Sequence, residues 1–251
     1  MTLRAILFDY GNTLVSTRLD WSVIMPANLM GLQAALELHF PNLNFERLNR
    51  DFLFIRSAGK QRAERELIET PATESLKKAL ELQGYNGVTE DTLQAGVDGF
   101  FKAEEGAYPI IFGVPETLAK LREMGFLLAV VSNATCGRLV RRSLERRGMM
   151  GYFTHVAVSA DLGPCKPDPA IFWGTMHALE LKVEECAVVG DQPETDIEGA
   201  RRAGMRAVLA DFFGDAADIS AGGPRPDAVV RHPQELVDLF KEWLANTTLF
   251  P

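Results

Sequence analysis

The sequence predicts an α/β fold, a doubly wound parallel sheet with a bundle of helices inserted after its first strand. Three observations predict it. From Ile110 onward, short uncharged apolar runs alternate with helix-patterned segments of about a dozen residues, the pattern of a parallel sheet covered by helices. A run of the same kind, "RAILFD", stands alone near the N-terminus. Between the two, from Ser16 to Pro109, the periodicity is almost wholly helical.

The elements follow in order. "RAILFD" reads as a buried strand. "DWSVIMPANLMGLQAALELHF" places Trp21, Met25, Leu29, Leu32 and Leu36 three or four apart, a helix with Pro26 near its start. "NFERLNRDFLFI" repeats the spacing with Phe45, Leu48, Phe52 and Ile55, and Asn44 is the expected N-cap. "TPATESLKKALELQG" has Thr70 as cap, Pro71 in the first helical position and Gly84 at its close. "TEDTLQAGVDGFFKAEEG" begins with Thr89 and two acids, which suit the positive end of a helix dipole. These segments make a bundle of about four helices.

The remainder alternates. "GVPETLAKLREMG" is a helix and "FLLAVVSN" a strand buried on both faces. "TCGRLVRRSLERRG" is a helix whose arginines form a solvated face, and "HVAVSA" is a strand. "DPAIFWGTMHALEL" is a helix started by Asp168, with Lys166 at its opening. "CAVVGD", "ETDIEGARRAG" and "MRAVLA" read as strand, helix and strand. "DAVV" and "PQELVDLFKEWL" add one more strand and helix, after a surface loop "FFGDAADISAGGPRP".

Composition narrows the function. The net charge is −8, so no basic footprint for nucleic acid is present. The three cysteines, Cys136, Cys165 and Cys186, are scattered and odd in number, which argues against a disulfide framework and for a reducing compartment. The four histidines form no HxxxH pair, and no apolar run approaches the ~18 residues of a membrane span. The apolar stretch before Asp9 is too short for a signal peptide, so a cytoplasmic protein is expected.

Ligands of open α/β sheets bind where the strands end. Asp9 follows "AILF", Ser132 and Asn133 follow "LLAVV", and Asp191 follows "CAVVG" with Asp196 five residues on. Lys166 follows the "HVAVSA" strand in "DLGPCKPDPAIF". Two carboxylates at neighbouring strand ends repel unless a cation lies between them. A hard ion such as Mg²⁺ takes oxygen ligands and completes its shell with water and substrate phosphate. Ser132, nearby amides and Lys166 can hold the anionic oxygens of a phosphoryl group, and Asp9 can attack phosphorus to form an aspartyl-phosphate.

The stretches "FDYGNTLV", "VVSNAT", "CKPDPAIF" and "GDQPETD" resemble, in order, the four motifs of the haloacid dehalogenase-like (HAD) hydrolases. The resemblance covers essentially the whole chain. It implies a HAD-like, Rossmann-type core of residues 1–15 and 110–251 and a helical cap of residues 16–109. It implies that Asp9 is the nucleophile, that Ser132 binds the phosphoryl oxygen and that Lys166 neutralises charge. Asp9, Asp191 and Asp196 would surround Mg²⁺, together with the backbone carbonyl of Gly11. The expected substrate is a small phosphorylated metabolite.

One position departs from the family's phosphatases. They carry a second Asp, an acid–base group, where this chain has Gly11. Losing such a group costs roughly 10²–10⁴ in rate. Three consequences are open: a substrate with a good leaving group, a replacement acid from the cap, or a different reaction. The alternatives are a haloacid dehalogenase, a phosphonate (C–P) hydrolase using a cap lysine such as Lys60, or a weakly catalytic binding protein. Arg56 and Arg62 are further cap-side candidates for contact with an anionic substrate.

Overall fold

The computed structural model describes residues 3–214 and 223–247. Strand β1 (Ala5–Phe8) leads into four helices: α1 (Trp21–Leu36), α2 (Phe45–Glu66), α3 (Ala72–Glu81) and α4 (Glu90–Ala107). Then come α5 (Val114–Glu123), β2 (Leu127–Ser132), α6 (Gly137–Arg146), β3 (His155–Val158), α7 (Ser159–Leu162) and α8 (Ala170–Ala178). The chain continues through β4 (Cys186–Gly190), α9 (Glu198–Ala203), β5 (Arg206–Ala210), β6 (Ala228–Val230) and α10 (Glu235–Thr247). The strands form one sheet in the order β3-β2-β1-β4-β5-β6, and every pairing is parallel.

Strand β1 is central, with Phe8 level with Val130 on one side and Val189 on the other. Its residues divide between two cores. Ile6 and Phe8 join Leu118, Leu121, Val140, Leu144 and Phe240 from α5, α6 and α10. Ala5 and Leu7 join Ile171, Phe172, Ala200 and Ala203 from α8 and α9. Burial on both faces is why the run is uniformly apolar rather than alternating. The strand order changes direction at β1, so the carboxyl ends of β1, β2 and β4 border one crevice.

Among the four helices after β1, α1 and α4 pack antiparallel where the sequence places small residues. A Cβ at Gly31 would lie 2.1 Å from the Gly99 carbonyl oxygen, and one at Gly99 2.4 Å from that of Gly31. Helices α1 and α4 therefore touch backbone to backbone, which only glycine permits here. Asn44 caps α2 by accepting the Arg47 N–H at 2.9 Å, and Thr89 caps α4 by accepting that of Thr92 at 3.3 Å. The start of α3 differs from expectation. Pro71 takes the cap position and Thr70 does not cap. The first free N–H, on Ala72, instead donates to the Thr135 carbonyl beyond β2, a tertiary partner that sequence pattern does not reveal.

Two other expectations shift. Lys166 lies in a turn ahead of α8 rather than on it, and Asp168 accepts the Ala170 N–H at 2.8 Å, as a residue that starts the helix should. The arginines of α6 are not simply solvated. Arg138 and Arg142 pair with Asp98 of α4, Arg146 pairs with Glu105, and Arg141 with Asp161. Of the expected loop spanning 212–226, residues 215–222 lie outside the described residues. Among the described residues no helix is long and apolar enough to cross a membrane.

Candidate active site

Asp9 directly follows β1. Its N–H donates to the Val189 carbonyl at 2.8 Å, extending the β1–β4 ladder by one residue and holding Asp9 at the carboxyl edge of the sheet. The side chain is buried, and it meets Lys166 Nζ at 2.5 Å. The same ammonium donates to Asp196 Oδ1 at 2.6 Å and to the Val131 carbonyl at 2.9 Å. An ammonium has three protons, and each has an acceptor here. Lys166 is 4% exposed, so the group sits in a low-dielectric setting where this complete pairing is required.

Asn133 holds the Lys166 backbone. Its Oδ1 accepts the Lys166 N–H at 2.8 Å and its Nδ2 donates to the Lys166 carbonyl at 2.9 Å. Both ends of the Asn133 side chain are thus engaged, and its backbone N–H is what it can offer an anion. Ser132, the last residue of β2, is buried beside the same cavity as Asp9.

Asp196 is 1% exposed, in the π-type turn Pro193–Ile197 that follows β4. Its Oδ2 accepts the Gln192 N–H at 3.0 Å. Gly190 makes the room for it: a Cβ there would fall 2.3 Å from Asp196 Cγ. Asp191 is different. Its Oδ1 is shut off from solvent and has no hydrogen-bond partner. The Asn12 side chain beside it lowers its proton affinity. Asn12 sits at φ 53°, a left-handed conformation that asparagine tolerates better than most residues. Its Oδ1 accepts both the N–H and the hydroxyl of Thr17 at 3.0 Å. Asp9, Asp191 and Asp196 each offer an oxygen, and these atoms lie within 4.8 Å of one another.

The charges explain the proton affinities. Burial pushes Asp9 up to about 6, an effect that Lys166 opposes and Asp196 reinforces. Burial, then Asp9 and Asp196, push Asp191 up to about 7. Burial alone would lower Lys166, but the two carboxylates that it contacts outweigh burial and hold it above the usual lysine range.

Gly11 has a structural reason. A Cβ there would lie 3.0 Å from the Thr17 methyl carbon, a tight contact that Thr17 would have to relieve. Asp9, Ser132, Lys166 and Asp196 open onto a cavity of about 300 Å³. Arg56 of α2, Glu104 of α4 and Tyr108 also line it. Arg56 lies 4.8 Å from the centre of the Phe100 ring and 5.0 Å from that of Phe101, and its Nη2 donates to Thr135 Oγ1 at 3.3 Å. Its Nε is buried without a partner. Lys60 is exposed and lines a neighbouring cavity, and Arg62 is turned to Thr70 and Glu66.

The structure therefore gathers Asp9, Ser132, Asn133, Lys166, Asp191 and Asp196 at one edge and adds Asn12, Thr17, Glu104 and Tyr108. Glu104 carried a signal in the sequence. Leu93, Val97, Phe101, Glu104 and Tyr108 recur at helical spacing, which sets an acid on the buried stripe of α4.

Fold and site together define a doubly wound α/β protein with a lysine-bridged carboxylate cluster at the sheet's carboxyl edge. The family model for haloacid dehalogenase-like hydrolases matches residues 3–204, and the chain belongs to that family. Over 244 residues it is 30% identical to a ribulose-1,5-bisphosphate 5-phosphatase of Halopiger xanaduensis, an alignment that covers 94% of this chain and 98% of that one. It is 38% identical over 114 residues to a phosphoserine phosphatase of Thermus thermophilus, 45% of each chain. Among solved structures, a 2-haloacid dehalogenase from Pseudomonas syringae pv. Tomato superposes with a TM-score of 0.67 at 26% identity, covering 96% of this chain and 100% of that one. A HAD phosphatase from Thermococcus onnurineus shares the fold with a TM-score of 0.63 at 21% identity, over 94% of this chain and 97% of that one.

Proposed function

We propose that this hydrolase is a Mg²⁺-dependent phosphatase of small phosphorylated metabolites that works through an aspartyl-phosphate on Asp9. The observation that carries the reading is the buried Asp9–Lys166–Asp196 network beside the unpartnered Asp191 Oδ1, all at one end of the sheet. The names of the relatives support a phosphate ester as substrate, and that of the Halopiger enzyme points to a sugar phosphate.

The residues fit a hard divalent cation. The donors are all oxygens, one is buried with nothing to bond, and three carboxylates face a single ammonium. Asp9, Asp191 and the Gly11 carbonyl would hold the ion, with Asp196 kept in place by Lys166 and Gln192. Bound there, Mg²⁺ supplies positive charge that offsets repulsion between Asp9 and the phosphoryl oxygens. Lys166 orients the nucleophile by occupying Asp9 Oδ1, which leaves the other oxygen to attack phosphorus. Ser132 Oγ and the Asn133 N–H receive the phosphoryl oxygens. Residues 16–109 act as a cap over a core of residues 1–15 and 110–251, and they exclude water while Asp9 attacks. Arg56, with one guanidinium nitrogen unpartnered, meets the substrate from the cap side.

Carbon–halogen cleavage is the second reading. The absence of an acid side chain at Gly11 favours it, because a halide leaves without a proton. Exposure of Lys60 speaks against a Schiff-base route to C–P cleavage.

The test is steady-state phosphate release with and without Mg²⁺ from an acyl phosphate, an alkyl phosphate and ribulose 1,5-bisphosphate. Asp9→Asn should abolish turnover of each. Chloride release from 2-chloropropionate without phosphate release from any ester would select the second reading, and Mg²⁺ binding without turnover would select a binding role.

A further inference from the structure

The cavity that holds Asp9 has one wall built by the sheet edge and another built by helices, and the acid missing at Gly11 has no replacement on the first. Beside Gly11 stands the methyl group of Thr17. Asp9 and Asp196 also face the cavity, but each is paired with the Lys166 ammonium, whose charge favours their ionised form. Among the described residues lining the cavity, the remaining carboxyl group is that of Glu104 on α4.

Glu104 is held as a functional group would be. It is buried at 8% exposure. Asn28 of α1, wholly buried, grips it twice: Nδ2 donates to Glu104 Oε2 at 3.2 Å, and Oδ1 accepts the Glu104 N–H at 3.3 Å. Its Oε1 accepts the hydroxyl proton of Tyr108, one turn further along the chain. The Gly31–Gly99 contact is what brings α1 close enough to α4 for Asn28 to reach. Burial raises the proton affinity of Glu104, while Tyr108, Arg56 and Asn28 lower it, and the balance lies above the usual carboxylate range.

We propose that Glu104 is the acid–base residue of this enzyme, replacing from the helical wall the side chain that Gly11 lacks. The inference rests on the aspartyl-phosphate reading. As an Asp9 oxygen bonds to phosphorus and the bond from phosphorus to the ester oxygen breaks, the Glu104 proton passes to that oxygen and an alcohol leaves. Glu104, now a carboxylate, takes a proton from water as the water oxygen attacks the aspartyl-phosphate. The phosphorus–Asp9 bond breaks, phosphate is released, and both side chains return to their starting state.

The experiment is a leaving-group series on Glu104→Gln, read as kcat/KM, which reports steps up to phosphoenzyme formation and not its hydrolysis. Glutamine keeps the shape and bonds to Asn28 and Tyr108 but has no proton of suitable acidity. The variant should lose roughly 10²–10⁴-fold on an alkyl phosphate and less than about tenfold on p-nitrophenyl phosphate, whose leaving group needs no acid. Equal losses on both substrates would mean that Glu104 only supports the wall, and would overturn the inference. Should the variant fail to fold, the wild type carries the test: kcat/KM that depends weakly on leaving-group pKa supports a proton donor, and a steep dependence overturns it. Wild-type turnover of p-nitrophenyl phosphate with none of alkyl phosphates overturns the Glu104 role alone. No Mg²⁺-dependent turnover of either overturns the phosphatase reading as well.

Discussion

Replacing Lys166 with methionine tests the central network most directly. The change keeps much of the side-chain volume and removes the charge. It breaks ion pairs of 2.5 Å to Asp9 and 2.6 Å to Asp196, and both partners are buried. Removing one member of a buried ionic group costs about 3–5 kcal/mol, mainly because the remaining charge is stranded. The loss should depend on pH. Asp9 already stands at about 6 with Lys166 beside it, and without that cation its folded-state pKa rises further above the unfolded value near ~3.9. A group with a raised folded-state pKa favours the folded state while protonated, and that advantage fades as pH climbs through the folded value. The penalty of Lys166→Met is therefore full near pH 8 and smaller at pH 5. Urea unfolding at the two pH values measures it. With m of about 3 kcal/mol/M, the midpoint at pH 8 should fall by about 1–1.7 M with m unchanged. An equal shift at both pH values would refute charge compensation as the role of Lys166, and a shift equivalent to under ~1 kcal/mol at pH 8 would refute its energetic importance.

Three other outcomes are expected. Asp191→Asn should remove stabilisation by millimolar Mg²⁺ in thermal melts. It should also stabilise the metal-free protein at pH 8, by on the order of 2–4 kcal/mol, because a carboxyl pushed up to about 7 opposes folding once ionised. Gly11→Asp should not increase kcat/KM for alkyl phosphates, since its Cβ would press on Thr17 at 3.0 Å; a tenfold gain would show that the absent acid limits the rate. Gly99→Ala should cost about 1–3 kcal/mol in chemical denaturation despite the better helix propensity of alanine, because its Cβ would sit 2.4 Å from a backbone oxygen. An unchanged midpoint would show that α1 and α4 can move apart without loss.

The parts of this protein legible in the sequence are those with a local physical cause. A strand buried on both faces must be apolar throughout, so "AILF", "LLAVV" and "CAVVG" announce themselves, and whatever follows such a strand stands at the sheet's edge. Asp9, Ser132, Lys166, Asp191 and Asp196 stand out as candidates on that ground. Caps that use a neighbouring side chain, as at Asn44 and Thr89, are legible for the same reason.

What depends on partners distant in the chain is not. Thr70 has the chemistry of a cap, but Ala72 finds the Thr135 carbonyl instead. The arginines of α6 have the spacing of a solvated face, yet they meet Asp98 and Glu105 of α4. Asn133 follows a strand as a phosphate ligand would, and its side chain is spent on the Lys166 backbone. The sequence by itself determined the sheet, the helical insertion and the polar groups at the strand ends, since each of these follows from burial and hydrogen bonding within a few residues. Only the tertiary structure decided what those groups do to one another. Lys166 bridges Asp9 and Asp196, Thr17 packs against Gly11, and Glu104 lines the same cavity as Asp9, because these neighbours are residues that only the packed sheet and helices bring within reach.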